Sequence, residues 1–191
     1  MNILRNHIEK IITLTDEEFE LIDSCFHSKK YRKKDLVIKE NDSVSHVYFI
    51  VSGLMKLYVT DRDAKEHIIS FSMEDWWETD YMAFYTESKA TQFLQCLEDT
   101  EVLCLSFSDY QKLNEAIPKL EHFFLKKAIG GHIANQKRIL SLLTYTAKEK
   151  YEQLLHSYPS LLQRIPKTVL ANYLGLSRET LSRFFVESKK M

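Results

Sequence analysis

The apolar positions of this chain keep a helical period at its two ends and a strand-like one in between. Ile8, Ile11 and Ile12, then Phe19, Leu21, Ile22 and Phe26, recur near helical spacing, so residues 1–27 read as helical. Thr15-Asp-Glu-Glu18 has the form of a capping box that starts the second helical piece. From about Tyr31 to Phe107 the texture changes. Short runs rich in Val, Ile, Phe and Tyr cover Leu36–Ile38, His46–Val51, Leu54–Val59, His67–Phe71, Gln92–Leu97 and Val102–Phe107. Turn signals stand between them at Asn41-Asp42, Ser52-Gly53, Asp61–Asp63 and Glu98–Thr100. Short strands at this spacing predict an antiparallel barrel or sandwich. Met73–Lys89 interrupts the rhythm with Trp76, Trp77, Tyr81, Phe84 and Tyr85, and reads as a short helix and loop inserted into the barrel.

After Ser108 the chain turns helical again. Pro118 suits a helix's first turn. Leu120, Phe123, Phe124, Ala128, Ile133, Leu140 and Leu143 mark an apolar face over more than twenty residues. A helix of that length packs against something large, either a partner subunit or the barrel itself. Gly130-Gly131 in its middle costs about 2 kcal/mol relative to two alanines. Either two backbones approach closely there, or the helix kinks or breaks. Ala147–His156 forms another helix, ended by Tyr158-Pro159, and Ile165-Pro166 leads into the last segment.

That segment, Lys167 to Arg183, carries the most specific pattern. Val169, Leu170, Tyr173 and Leu174 give a first helix its apolar stripe, with the small Ala171 where two helices cross. Gly175 suits the left-handed position that ends a helix. Ser177 is a good N-cap for a second helix, whose buried face is Leu181, Phe184 and Phe185. Arg178, Glu179, Ser182 and Arg183 then point outward in the N-terminal turns. This is the layout of a helix-turn-helix, whose second helix enters the DNA major groove. Arg can be bidentate to guanine and a carboxylate can accept from cytosine N4. Lys167, Ser177 and Thr180 are placed to meet phosphates, which set register rather than sequence preference. The bland alternative is a helical hairpin with a solvated charged face.

Charge favours DNA. Residues 161–191 hold Arg164, Lys167, Arg178, Arg183, Lys189 and Lys190 against Glu179 and Glu187, a net of +4, while the whole chain is −1 and the first 160 residues therefore −5. A basic end on an acidic chain is the footprint of a DNA-reading module. Hydrophobic content of 45% and charged content of 28% are those of a soluble globular protein. No apolar run approaches a membrane span and no signal core opens the chain, so a cytoplasmic location is expected and no membrane partner. Three cysteines, Cys25, Cys96 and Cys104, are too few and too scattered for a disulfide framework, a thiolate zinc site or a four-cysteine cluster, and read as buried thiols. The seven histidines show no pair at metal-ligand spacing. No cofactor and no metal is expected.

Taken in order, these elements resemble the Crp/Fnr family of bacterial transcription regulators. The resemblance covers nearly the whole chain. It is strongest at Leu176-Ser-Arg-Glu-Thr-Leu-Ser-Arg183, which is similar to that family's recognition helix, with Ser182 beside Arg183 as in its oxygen-sensing branch. Asn41-Asp42 with Val47-Tyr-Phe-Ile-Val-Ser-Gly53 resembles the glycine-bounded hairpin of its cyclic-nucleotide-binding roll, and Glu98-Asp-Thr-Glu-Val-Leu103 a later strand. The resemblance implies an α+β fold: an N-terminal antiparallel β-roll of jelly-roll (double-stranded β-helix) type, a long dimerisation helix and a C-terminal helix-turn-helix. It places a sensor at residues 1–143, with the helix at about 118–143, and a DNA-binding domain at 144–191. It implies a homodimer on double-stranded DNA, seamed by Leu120, Phe124, Ile133 and Leu140, with Arg178, Glu179 and Arg183 on bases. RNA polymerase is a candidate further partner, and activation surfaces leave no signature in one sequence.

Three departures bear on function. The family's phosphate-binding cassette has a Gly-Glu pair and then Arg followed by Ser or Thr. Here these positions fall on Thr79-Asp80 and Ala90-Thr91, so the arginine is missing, and Lys89 beside it points to the other face of a strand. Losing a buried phosphate–Arg pair argues against tight cyclic AMP binding. Trp76, Trp77, Asp80, Tyr81, Lys89 and Thr91 could line a different pocket for an effector of unknown identity, or the aromatics fill the space. The oxygen-sensing cluster lacks its ligands. The chain also stops at Met191, which leaves the family's C-terminal wing absent or replaced. A regulator that still responds to a cyclic nucleotide is the alternative. A cupin-like metalloenzyme is remote, since His46 and His67 stand apart and no nucleophile motif or P-loop is present; the chain is read as no enzyme. A protein-interaction module that binds no DNA is the last alternative.

Overall fold

Two short amphipathic helices begin the chain in a computed structural model that describes residues 2–188. Helix α1 (Asn2–Glu9) buries Leu4 and Ile8, and α2 (Asp16–Ser24) buries Ile22. The predicted capping box is formed: Thr15 Oγ1 accepts from the Glu18 amide at 3.2 Å, and the Thr15 amide donates to Glu18 Oε2 at 2.7 Å. The helical reading runs too far at its end, because Phe26–Tyr31 is a strand, β1. Its sequence hides this. Only Phe26 is buried, and His27 to Lys30 face water along a sheet edge, where charged residues discourage further pairing.

The strands that follow are β2 (Leu36–Ile38), β3 (His46–Ser52), β4 (Leu54–Thr60), β5 (Glu66–Met73), β6 (Trp77–Glu78), β7 (Phe93–Cys96) and β8 (Thr100–Ser106). They form two antiparallel four-stranded sheets in the orders β1-β8-β3-β6 and β2-β7-β4-β5. This is the expected roll. The inserted segment holds β6 and a short helix, α3 (Tyr81–Thr86). The β3–β4 turn needs glycine. Gly53 has φ +108°, and a Cβ there would lie 2.4 Å from Thr100 Oγ1 and 2.7 Å from the Asp99 carbonyl. Cys25, Cys96 and Cys104 are all buried free thiols.

Helix α4 (Phe107–Ala116) leads to α5 (Lys119–Thr144), which runs unbroken through Gly130-Gly131. A Cβ on either glycine would meet nothing within 4 Å in this chain. The apolar face of α5 divides in two. Leu120 and Phe123 are sealed in the roll's own core, with Phe124 half-buried beside them. Leu125, Ile129, Ile133, Ile139, Leu140 and Leu143 stand exposed further along. Leu120 therefore belongs to the core of its own chain and is withdrawn from the seam expected of it, because its stripe faces Trp77 and Phe49 rather than solvent.

The chain ends in four helices: α6 (Ala147–Ser157), α7 (Pro159–Arg164), α8 (Lys167–Leu174) and α9 (Arg178–Ser188). Helix α7, with Pro159 at its first turn, was not anticipated. These helices share a second core with the outer face of β4 and β5. Leu54, Tyr58, Ile68 and Phe71 pack with Leu161, Leu162, Leu170, Leu174 and Leu181. Among the described residues no helix is long and apolar enough to cross a membrane.

Candidate nucleic-acid interface

Helix α8 stops where glycine lets it. Gly175 adopts φ +66°, and its amide bonds back to the carbonyls of Ala171 and Asn172. Two residues on, Ser177 Oγ accepts from the Thr180 amide at 3.1 Å and caps α9. Leu181 is fully buried, and Phe184 and Phe185 pack on Tyr151 at ring separations of 5.7 and 5.4 Å. Those anchors fix which face of α9 is free. Arg178, Glu179 and Arg183 are exposed and Ser182 is half-buried beside them. Among the described residues neither arginine forms an ion pair. The two guanidiniums thus remain available to a partner.

The residues assigned to phosphates lie at the same end. Lys167 is exposed, with Nζ over the Phe185 ring at 4.8 Å from its centroid. Ser177 and Thr180 share a hydroxyl contact of 3.0 Å, so both are engaged in the cap, which aims the first amides of α9 outward. Two lysines of the basic end, Lys189 and Lys190, lie outside the described residues. Arg164 does not face the nucleic-acid side. It reaches into the roll, where Nη1 and Nη2 donate to Glu74 at 2.8 and 3.0 Å, Nη2 to Glu98 Oε2 at 2.7 Å and to the Gly53 carbonyl at 2.8 Å. The Arg164 guanidinium holds the Glu74 carboxyl below its ordinary range.

The six residues of the expected effector pocket are not brought together. Trp77 is packed in the roll core against Phe49, Phe123 and Phe124, and its Nε1–H donates to His7 Nε2 at 3.0 Å. Trp76 turns the other way, edge-on to Tyr158 of the C-terminal helices at 5.4 Å. Tyr81 is 41% exposed and stacks on Tyr85. Lys89 Nζ donates to Ser43 Oγ at 2.9 Å on the outside of the roll. Only Asp80 and Thr91 meet: Asp80 Oδ2 accepts from the Thr91 amide at 2.9 Å while Oδ1 caps α3 through the Ala83 amide at 3.2 Å. The tryptophans already diverge at the start of β6: Trp77 opens the strand and packs on Phe49, while Trp76 precedes it and reaches Tyr158.

The cassette positions are sealed. Thr79 and Asp80 are fully buried and Ala90 is 2% exposed. A second carboxylate, which sequence reasoning missed, sits beside them. Glu78 Oε2 accepts from Ser70 Oγ at 2.8 Å and Ser72 Oγ at 2.7 Å, and Oε1 from the Thr79 amide at 3.2 Å. Burial raises its carboxyl above the ordinary range, although the serine hydroxyls oppose that. This interior holds two buried carboxyl groups, Glu78 and Asp80, and Ala90 stands where the cassette would carry its arginine. The only sequence signal would have been Glu78 standing in a tryptophan-rich strand.

A second arginine was also missed. Arg138 of α5 donates through Nη2 to the Ile68 carbonyl at 2.8 Å and the Tyr173 carbonyl at 3.1 Å, and its guanidinium lies 3.6 Å from the Tyr173 ring centroid. Among the described residues it forms no ion pair with a carboxylate. Burial destabilises its charge. No three His, Cys, Asp or Glu side chains among the described residues gather as a metal-binding group.

Residues 28–116 match the family model described as a cyclic nucleotide-binding domain. The chain is 28% identical to the anaerobic regulatory protein of Haemophilus influenzae, over 94% of this chain and 74% of that one. It is 26% identical to the regulatory protein HlyX of Actinobacillus pleuropneumoniae, over 93% of this chain and 78% of that one. The solved structure of FixK2 from Bradyrhizobium japonicum superposes with a TM-score of 0.77 at 19% identity, covering 86% of this chain and 85% of that one, which is a likeness of fold. The two relatives named by sequence are regulatory proteins rather than enzymes.

Proposed function

We propose that this chain is a Crp/Fnr-type transcription regulator, a reading supported by its cyclic nucleotide-binding domain match, its regulatory relatives and its fold, and that it is a sequence-specific DNA-binding protein acting as a homodimer on a near-palindromic site. Residues 1–143 serve as the sensor with its long helix, and 144–191 as the reader. The observation that carries this reading is α9, capped by Ser177, anchored by Leu181, and presenting Arg178, Glu179 and Arg183 exposed to solvent. Arg178 and Arg183 supply bidentate donors for guanine edges, and Glu179 an acceptor for cytosine. Ser182 completes the base-reading face. Lys167 and the amides at the Ser177–Thr180 cap hold phosphates and set the register.

Exposed apolar residues of α5 form the subunit seam in this reading. Ile133 and Leu140 join Leu125, Ile129 and Leu143, with Phe124 at the edge. Two copies of α9 then enter successive major grooves about 34 Å apart. The roll does not take cyclic AMP tightly, since Glu78, Asp80 and Ala90 occupy the place of the cassette. Calorimetric titration with cyclic AMP and cyclic GMP tests that part, and micromolar or tighter binding would reverse it. The regulator acts on RNA polymerase by recruiting or blocking it, and transcription in vitro from a selected site gives the sign.

Selection from random DNA with purified protein, at fixed salt, is the decisive test. An enriched near-palindrome is expected. Arg183→Ala should weaken the selected site by ~1–3 kcal/mol, flatten preference at one base pair and leave the dimer intact. No enrichment, with or without added cell extract, would favour a protein-interaction module instead.

A further inference from the structure

We propose that the cavity between the roll, α5 and the C-terminal helices is a binding site for a small organic anion with a flat aromatic body. The cavity has a volume of about 390 Å³, within the range of ligand pockets. Its walls come from β5 and Trp76 on the roll, from the middle of α5, from α6 with Tyr158, and from the end of α8.

The lining chemistry selects the ligand. Lys137, Arg138 and Lys150 line the space and no carboxylate does. Arg138 is the informative one. It is half-buried, it spends Nη2 on two carbonyls, and it forms no ion pair among the described residues. A half-buried cation without a counter-ion is costly, and an entering carboxylate or phosphate would relieve that cost with charge-assisted hydrogen bonds. Arg164, a few turns away, shows what this chain does when an arginine is meant to be satisfied internally: Glu74 and Glu98 both meet it. The aromatic residues decide the rest. Trp76 and Tyr158, packed edge to face at 5.4 Å, and Tyr173 beneath the Arg138 guanidinium all line the cavity, and such aromatic walls favour a planar body.

The site is not the open seam of α5. Most of its α5 residues, Gly130, Ala134, Lys137, Arg138 and Ser141, follow one stripe, with Asn135 and Leu142 flanking it, while Leu125, Ile129, Leu140 and Leu143 follow another, and Ile133 stands at the border. Tyr173 and Leu174 lie immediately before the Gly175 turn, so a ligand held here touches the roll, the long helix and the reading module together. Its contacts differ between docked and undocked positions of that module, which is the condition for an effector. That consequence rests on the DNA-reading function; the binding itself does not.

The test needs no DNA, so its failure and a failure of DNA reading are separate results. The full chain is titrated with 1-naphthoate and with the neutral 1-naphthamide, followed by tryptophan fluorescence and calorimetry. Naphthoate should bind at least about tenfold more tightly than the amide, and Arg138→Gln should remove the difference. Ser157→Trp, which fills the cavity from its exposed edge without touching Arg138, should weaken both probes while the thermal melt stays unchanged. Equal binding of acid and amide, no binding of naphthoate at millimolar concentration, or an unaltered naphthoate affinity in a folded Ser157→Trp protein would each overturn the site.

Discussion

Strand β5 separates two spaces of opposite character. Behind it, the roll interior holds two buried carboxyl groups, Glu78 and Asp80, among the apolar side chains of the roll's core. In front of it, the junction cavity is open and lined by three cations and no carboxylate. Ser70 belongs to both, lining the cavity while its hydroxyl donates to Glu78. The lesson is that a roll can keep the architecture of a nucleotide-binding domain while a buried alanine, Ala90, stands at the arginine position of its cassette. Room for a ligand and the charge to hold it can then lie one strand away.

The contrast can be broken first by acid, which should act on the roll and spare the junction. His7 is 2% exposed, accepts from Trp77 and packs on Phe49 and Phe123. Burial pulls its imidazole from 6.5 down to about 4, aided by the charge of Lys127 and opposed by Asp75. The folded value lies below the unfolded one, so stability is fully present above pH 6.5 and drains as pH falls through about 4. That displacement is worth about 3 kcal/mol. Urea unfolding between pH 7 and pH 4 should show it, and His7→Gln, which keeps an acceptor for Trp77, should flatten the slope. Parallel slopes in the two proteins would remove His7 from this role.

Next in size is the junction's own lock. Arg164→Ala leaves Glu74 and Glu98 facing each other beside Gly53. Both carboxylates are partly exposed, so water screens them and the cost should be about 2 kcal/mol, below that of breaking a fully buried pair. Hydrogen exchange reads it regionally. Amides of α7 and α8 should lose protection while those of β3 and β8 keep it. Uniform loss across the roll would mean that Arg164 supports the whole fold rather than its docking.

What sequence could disclose follows from distance along the chain. The helix-turn-helix was legible because Leu174, Gly175, Ser177 and Leu181 do their work within eight residues of one another, so pattern and packing coincide. The roll was legible strand by strand, except β1, where one buried Phe26 gives alternation nothing to show. Arg138 and Arg164 were illegible because their partners are elsewhere: Ile68 lies 70 positions before Arg138, and Glu74 lies 90 before Arg164. Arg164 therefore counted toward a DNA-binding charge that it in fact spends on the roll. The proposed effector pocket failed for a related reason. Trp76 and Trp77 are neighbours in sequence and both pack against the roll's core, yet Trp76 goes on to meet Tyr158 while Trp77 bonds to His7.

The smallest effect tests the roll interior directly. Burial raises the Glu78 carboxyl, so the folded chain holds its proton more firmly than the unfolded chain does. Stability from this group is therefore complete below the ordinary carboxylate range and is lost as pH climbs through the folded value. Glu78→Gln removes that dependence. The amide oxygen can accept from the Thr79 amide, which now donates to Oε1, while its nitrogen donates to the Ser70 and Ser72 hydroxyls, and any cost of that exchange is the same at every pH. The informative quantity is thus the slope. The thermal midpoint of Glu78→Gln relative to the parent should rise by a few degrees from acid to mildly alkaline solution. A difference independent of pH would mean that Glu78 is charged throughout and that the interior is wetter than its packing suggests. In that case the case against a phosphate in the roll would rest on Asp80 and the missing arginine alone.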